Sequence, residues 1–439
     1  MTGRSFTLGV VRTGTVLDEV VLEILEHQGI LYEEIQGGEA GEKYPAILMA
    51  TSSADAFATA QRNCASSDSV VVAESHIDLG QILRCLAGQE DSRVDRLNLA
   101  VNEFEFKLMA LIAKAFSATN TSLVRKCFWP GNARACCVIT GDVDWLKYSP
   151  FHAAVVRGGR SPGRLASLLL GYLAGKNFGM NFDEMVETQK QHNFRSTVFL
   201  RAAYDGGEEN LVSAVNLLKH ADFEIGLHGS EGAHTSLDSL NSQLETIAAR
   251  TGQRPSGVRH HILKMSIPKT WEIESSAGLA YDATFSYNRF FGFRGEVCYP
   301  YHPFTTHRIP LLELPTSFMD WTALNRNLRG KKAEEVINQI MQKVEHYHGL
   351  LMVNFHNTYL NRQTFPDILA LYKRLVSTVS ERGYWVTTAQ SCSEWWMRRA
   401  ATRPDVTLGG SVKSSCGEIL LEVLTEKDVS TLGRRIDQG

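Results

Sequence analysis

Apolar and polar positions along this chain follow two recurring rhythms. Short apolar runs at 6–11, 30–35, 44–51 and 69–73 are separated by stretches of helical spacing at 15–27 and 54–62. Strands alternating with helices predict parallel βαβ units, so residues 1–125 read as a small Rossmann-like α/β domain. Residues 90–130 keep no single rhythm and read as a connector, ending in the turn signal Trp129-Pro130-Gly131-Asn132. The alternation then resumes. Strands are predicted at 135–140, 196–200, 223–227, 257–259, 309–314, 350–355 and 384–388, with helices at 211–220, 237–251, 333–346 and 366–382. Such a series predicts a β/α barrel or an open parallel sheet over 126–400. Residues 401–439, with Leu408, Val412, an apolar run at 419–423 and several glycines, read as a short β-rich appendage.

Composition narrows the function classes. Of 439 residues, 44% are hydrophobic and 21% charged, which is ordinary globular usage. Lys plus Arg number 45 against 48 Asp plus Glu. That balance lacks the basic surplus of a dedicated nucleic-acid binder. The longest apolar stretch, 165–175, is far short of the roughly 20 residues that span a bilayer. The first residues lack the apolar region of a secretory signal, so the expectation is a cytoplasmic protein. Eight cysteines show no C-x-x-C pair and read as scattered free thiols. The first βα loop, Arg12-Thr13-Gly14-Thr15, carries no G-x-G-x-x-G pattern, so a dinucleotide role has no support.

Chemistry gathers at the predicted strand ends. The run ACCVIT leads into Gly141-Asp142-Val143-Asp144-Trp145, and the run FEIGL into His228, with Ser230, Glu231 and His234 beyond. The strand at 257–259 ends at Arg259 and is followed by His260 and His261, of which at most one faces a site. The strand at 350–355 leads into His356-Asn357. Each piece alone has an ordinary structural explanation as a turn, a satisfied buried histidine or an ion pair. Their joint arrival at the edge where parallel α/β folds place active sites points to function.

At these residues the chain resembles the polysaccharide deacetylases, the NodB-homology fold of carbohydrate esterase family four. The resemblance covers about 135–395, through ITGDVDW, FEIGLHGSEGAH, GVRHHIL and VNFHN, with RSTVFL, MDWT and ERGYWVTTAQ among the connecting matches. In its DVD and GLHGS motifs it looks like a divergent branch of that family. It implies a distorted (β/α)7 barrel after the Rossmann-like domain, and a metal-dependent hydrolase of the N-acyl group of an amino sugar, in a glycan or its activated precursor. Asp142 would be the general base, Arg259 its orienting partner, and His356 the general acid. Asp144 and His228 would hold a divalent metal, zinc first.

Two departures from the family pattern leave questions open. Val143 separates the two aspartates, a spacing that keeps both on one strand face. The family's second ligating histidine stands four residues after the first, where this chain has Gly232. The third ligand is therefore His234, His261 or Glu231, with His234 taken first. His261, Trp145, Tyr299 and Asn357 are expected to contact substrate, and Tyr287, Phe290, Phe291, Tyr301 and Trp321 either stack on sugar rings or fill the core. Arg157 and Arg160 either meet a phosphate or sit in a solvated loop. A homo-oligomer is compatible with this picture. Rival functions are an inactive carbohydrate-binding or scaffold protein, and a deformylase or O-acetyl esterase on the same fold.

Overall fold

The computed structural model describes residues 6–35, 44–64, 69–89, 96–147, 170–171, 173–175, 177, 179–204, 208–403, 405–406, 412–413 and 419–424. Strands β1 (Leu8–Val11), β2 (Tyr32–Ile35), β3 (Ile47–Met49) and β4 (Val70–Val72) form a parallel sheet in the order β2-β1-β3-β4. Helices α1 (Val16–Gln28), α2 (Ala54–Asn63) and α3 (Leu79–Leu86) alternate with them. Thr15 starts α1 in a capping box with Asp18.

Where the sequence predicts only a connector, the structure has a long helix, α4 (Ala100–Ser117), which buries Phe106, Leu108, Met109, Ile112 and Phe116. Polar residues in its first half obscure the helical spacing, yet Asn102 and Glu105 are buried because they find partners. Asn102 Oδ1 accepts the backbone N–H of Cys298 at 3.0 Å, and Glu105 accepts from Gln28 Nε2 at 2.8 Å. Next comes β5 (Leu123–Lys126), which pairs antiparallel with β17 (Leu421–Leu424) near the other end of the chain.

The second sheet has nine strands: β6 (Cys136–Val143), β7 (Thr197–Leu200), β8 (Glu224–Gly229), β9 (Gly257–His260), β10 (Tyr281–Asp282), β11 (Leu312–Glu313), β12 (Thr316–Met319), β13 (Leu350–Asn354) and β14 (Trp385–Thr387). They run parallel in the order β11-β10-β9-β8-β7-β6-β13-β12, with β14 also paired to β6. Although β11 and β12 stand at opposite ends of this path, only Leu314 and Pro315 separate them. Three Cα steps span at most about 11 Å, so the sheet must curl into a half-barrel. The two strands beyond the seven expected are β10, only two residues long, and β12, whose Thr316 and Ser317 carry no apolar signal. Beyond the barrel, β15 (Asp405–Val406) and β16 (Val412–Lys413) form an antiparallel pair.

One continuous apolar core runs through both sheets. At their seam, His27 of α1 lies 2.6 Å from Glu105 and 3.1 Å from Glu23, while Glu23 accepts the backbone N–H of His302 and pairs with Arg308. Arg399 is fully buried and donates to the carbonyls of Glu26 and His27, capping the C-terminus of α1. No helix among the described residues is long and apolar enough to cross a membrane. Seven cysteines are buried free thiols, and Cys416 lies outside the described residues.

Candidate metal centre and active site

The carboxyl-terminal edge of the larger sheet is aligned by register. Val143 pairs with Leu200, and Leu200 with Leu227, so Asp144, Arg201 and His228 follow at one level. His228 pairs in turn with Arg259. His261 comes directly after β9, in a tight turn where Ile262 (φ 54°) and Leu263 (φ 56°) both take left-handed backbone. That conformation is strained for residues with a Cβ, more so for a branched one. Gly229 permits the close packing of β8 against β9, since a Cβ there would stand 2.4 Å from the His260 ring.

Three ligand-type atoms converge at this level. Asp144 Oδ1 lies 3.2 Å from His228 Nε2 and 3.5 Å from His261 Nε2, and the three residues' ligand atoms all lie within 4.8 Å of one another. His228 donates from Nδ1 to the backbone carbonyl of Arg259 at 2.9 Å. That contact fixes the ring so that Nε2 faces Asp144 Oδ1, where the two atoms can share a proton or a cation. Two imidazole nitrogens and a carboxylate, one imidazole oriented from behind by a carbonyl, match the donor set of a catalytic divalent metal. Burial alone would raise Asp144, but the hydrogen bond with His228 and the fields of His356 and His261 hold it well below the ordinary carboxylate range. Burial and the neighbouring His228 push His261 down, toward the neutral form that binds metal.

Two further pairs flank the triad. Asp142 accepts from Arg259 Nη1 at 2.9 Å and from Asn354 Nδ2 at 2.8 Å. Burial works to protonate it, but Arg259, with help from His228 and His356, keeps it ionised. Arg259 is fully committed, with Nε on the Ala283 carbonyl, Nη1 also on Thr140 and Nη2 on Thr316. His356 directs Nδ1 to Asp320 Oδ1 at 2.6 Å and Nε2 toward Asp144 Oδ2 at 3.7 Å. Burial lowers the His356 pKa, but Asp320, with Asp144 and Asp142, pushes it up to about 9. Asp142, Asp144, His228, His261 and His356 line a cavity of about 250 Å³ whose other walls are Trp145, Ile262, Leu263, Asn288, Met319, Trp321 and Tyr359.

The structure thus gathers Asp142, Asp144, His228, Arg259, His261 and His356, with Trp145 and Trp321 on the cavity wall. It does not bring His234 to the triad. That ring stands against His260, 6.0 Å between centroids, and the Thr270 hydroxyl, on the helix Lys269–Ser276, donates to the His234 carbonyl. Glu231 is exposed and outside the triad. His261 takes the place expected of His234, because the left-handed turn after β9 returns it to the strand ends. His260, its neighbour, points away to Glu274 at 2.8 Å. Tyr299 is a core residue, fully buried with its hydroxyl on the Tyr347 carbonyl. Asn357 is likewise structural, since its side-chain amide donates to the Gly179 and Trp145 carbonyls and so positions the loop after β6. Tyr301 is buried, Phe291 stacks on Phe318, and Phe290 carries the Arg96 guanidinium. Arg157 and Arg160 lie outside the described residues.

Asn354 and Asp320 are site residues that the sequence reading missed. Asn354 shares a strand face with His356 by the two-residue period, a signal present in VNFHN. Asp320 stands in MDWT, but nothing in the sequence links it to a histidine 36 residues on.

No family model and no curated protein matches the sequence. Solved structures do. One from Mycobacterium smegmatis, described as a polysaccharide deacetylase, is 17% identical with TM-score 0.45 over 64% of this chain and 97% of that one. The Puue allantoinase is 15% identical with TM-score 0.45, covering 62% and 93%. A pseudoenzyme of the CE4 family from Bacillus anthracis is 12% identical with TM-score 0.33, covering 59% and 65%.

Proposed function

We propose that this protein is a metal-dependent amide hydrolase that removes the N-acyl group, acetyl first, from an amino sugar in a glycan or its activated precursor. The observation that carries the reading is the convergence of Asp144, His228 and His261 between an arginine-held carboxylate and an aspartate-held histidine. Asp144, His228 and His261 would hold the divalent ion, which when bound polarises the scissile carbonyl and acidifies water. Asp142, ionised and held on two sides by Arg259 and Asn354, takes the proton from the attacking water. His356, charged near neutrality because of Asp320, delivers a proton from Nε2 to the leaving nitrogen. The apolar wall of Trp145, Met319, Trp321 and Tyr359 suits an acyl methyl and a sugar face. The choice of an amino sugar rests on those aromatic faces and on the motif resemblance in the sequence.

The test is metal content followed by acetate release. Protein loaded with one zinc per chain is expected to release acetate from at least one member of an N-acetylamino-sugar panel. Chelation should abolish the release and added zinc restore it. Stoichiometric zinc with no acyl release from any amide or ester in the panel would overturn the hydrolase reading and favour a binding protein.

A further inference from the structure

Two arginines stand on neighbouring strands at this edge, and they are used in opposite ways. Arg259 spends its donors on Asp142, Thr140, Thr316 and a carbonyl. Arg201, directly after β7, spends none. Its Nε is buried without a hydrogen-bond partner, and among the described residues its guanidinium makes no ion pair. Only its backbone is held, by Tyr204, whose hydroxyl accepts from Arg201 N and donates to the Val143 carbonyl, both at 2.8 Å. The register puts Arg201 between Asp144 and His228 along the sheet edge, and its charge is felt at His261 and Tyr204. Arg201 is half-buried, and a buried N–H donor left without a partner is costly. A second cation at the same edge adds repulsion, and an anion lying between the two relieves both.

We propose that Arg201 forms a substrate subsite beside the acyl cavity that binds an anionic group, a phosphate or a carboxylate, carried by the amino sugar. The inference rests on the proposed hydrolase reading and narrows its substrate class to negatively charged N-acylamino sugars. A guanidinium presents paired N–H donors that match the oxygens of either group. Arg259 is a poor candidate, since each of its three nitrogens is already bonded within the protein, and the cavity lining itself holds no Lys or Arg among the described residues.

The experiment is calorimetric titration of the zinc-loaded full chain with N-acetylglucosamine, its 1-phosphate and its uronic acid. An anionic sugar is expected to bind the wild type about tenfold to hundredfold more tightly than the neutral one, the range of a charged hydrogen-bond pair. Arg201→Gln should bring that ratio close to one, and Arg201→Lys should keep part of it. Which anionic sugar shows the preference tells phosphate from carboxylate. Equal binding of all three sugars by the wild type overturns the proposal. So does a preference that survives Arg201→Gln, which would assign it to the zinc. If the glutamine variant does not fold, Arg201→Met carries the same comparison while keeping the apolar stem. An Arg201-dependent preference without acetate release would leave the subsite standing and remove the hydrolase.

Discussion

Both parallel sheets of this protein present a carboxyl-terminal edge, and the two edges use their polar groups differently. In the smaller sheet β1 lies between β2 and β3, and the loop after it opens α1, a place where α/β sheets bind ligands. There the Asp18 carboxylate accepts the backbone N–H groups of Thr13, Gly14 and Thr15, the last two at 2.8 and 3.1 Å, and the Thr13 hydroxyl at 2.9 Å. The chain has filled its own anion site. At the larger edge, ligand-type atoms of Asp144, His228 and His261 face one another, and among the described residues Arg201 makes no ion pair. Topology marks where a site can form, and the bonding capacity left over decides whether one does.

Substitutions at the larger edge should have the largest effects. Asp142→Asn is expected to cut turnover by about 10²–10⁴-fold with zinc still bound, since it removes a general base. Unchanged acetate release would remove Asp142 from the chemistry. Next, His261→Ala should weaken zinc binding by well over the roughly 10–100-fold typical of an outer-shell change, with His234→Ala close to wild type in a competitive chelator titration. The reverse order would restore the ligand expected from the sequence. Asp320→Asn should lower turnover less, by about 10–100-fold. In the metal-free protein it should bring His356 down from about 9 toward its ordinary value, as read by imidazole NMR. A histidine that titrates as before would mean Asp320 does not act through it.

The smaller edge and the seam should respond in stability instead. Asp18→Ala leaves three backbone donors without their carboxylate and should cost about 1–3 kcal/mol in urea unfolding, with zinc content and turnover unchanged. A loss of activity in that variant would break the contrast between the edges. The smallest effect belongs to His27 at the seam. Burial opposes its charge, but Glu105 and Glu23 push it up to about 9 from the ordinary 6.5. A raised histidine adds stability that is fully present below pH 6.5 and lost as pH climbs through about 9. The burial cost of Glu105 offsets part of this gain. The unfolding midpoint should therefore fall modestly between pH 6 and 10, and the slope should vanish in His27→Gln.

Much of this architecture is visible in one dimension. The alternation of apolar runs and helical spacing marks the β1–β4 sheet and seven strands of the larger one, because burial on both faces demands continuous apolar residues. It misses β12, a strand rich in Thr and Ser, whose Thr316 takes a hydrogen bond from Arg259. It misses α4 for a related reason, since Asn102 and Glu105 look like surface residues until Cys298 and Gln28 are seen beside them.

The candidate site divides along the same line. Asp142, Asp144, His228, Arg259 and His356 follow from the sequence, because each sits at the end of a strand and strand ends are readable from local pattern. The exchange of His234 for His261, the Asp320 and Asn354 partners, and the uncommitted charge of Arg201 come only from the tertiary structure. Each depends on which side chain meets which across the sheet. Local pattern reports where a residue stands in its own element, whereas hydrogen bonds and charge compensation are settled between elements distant in the chain.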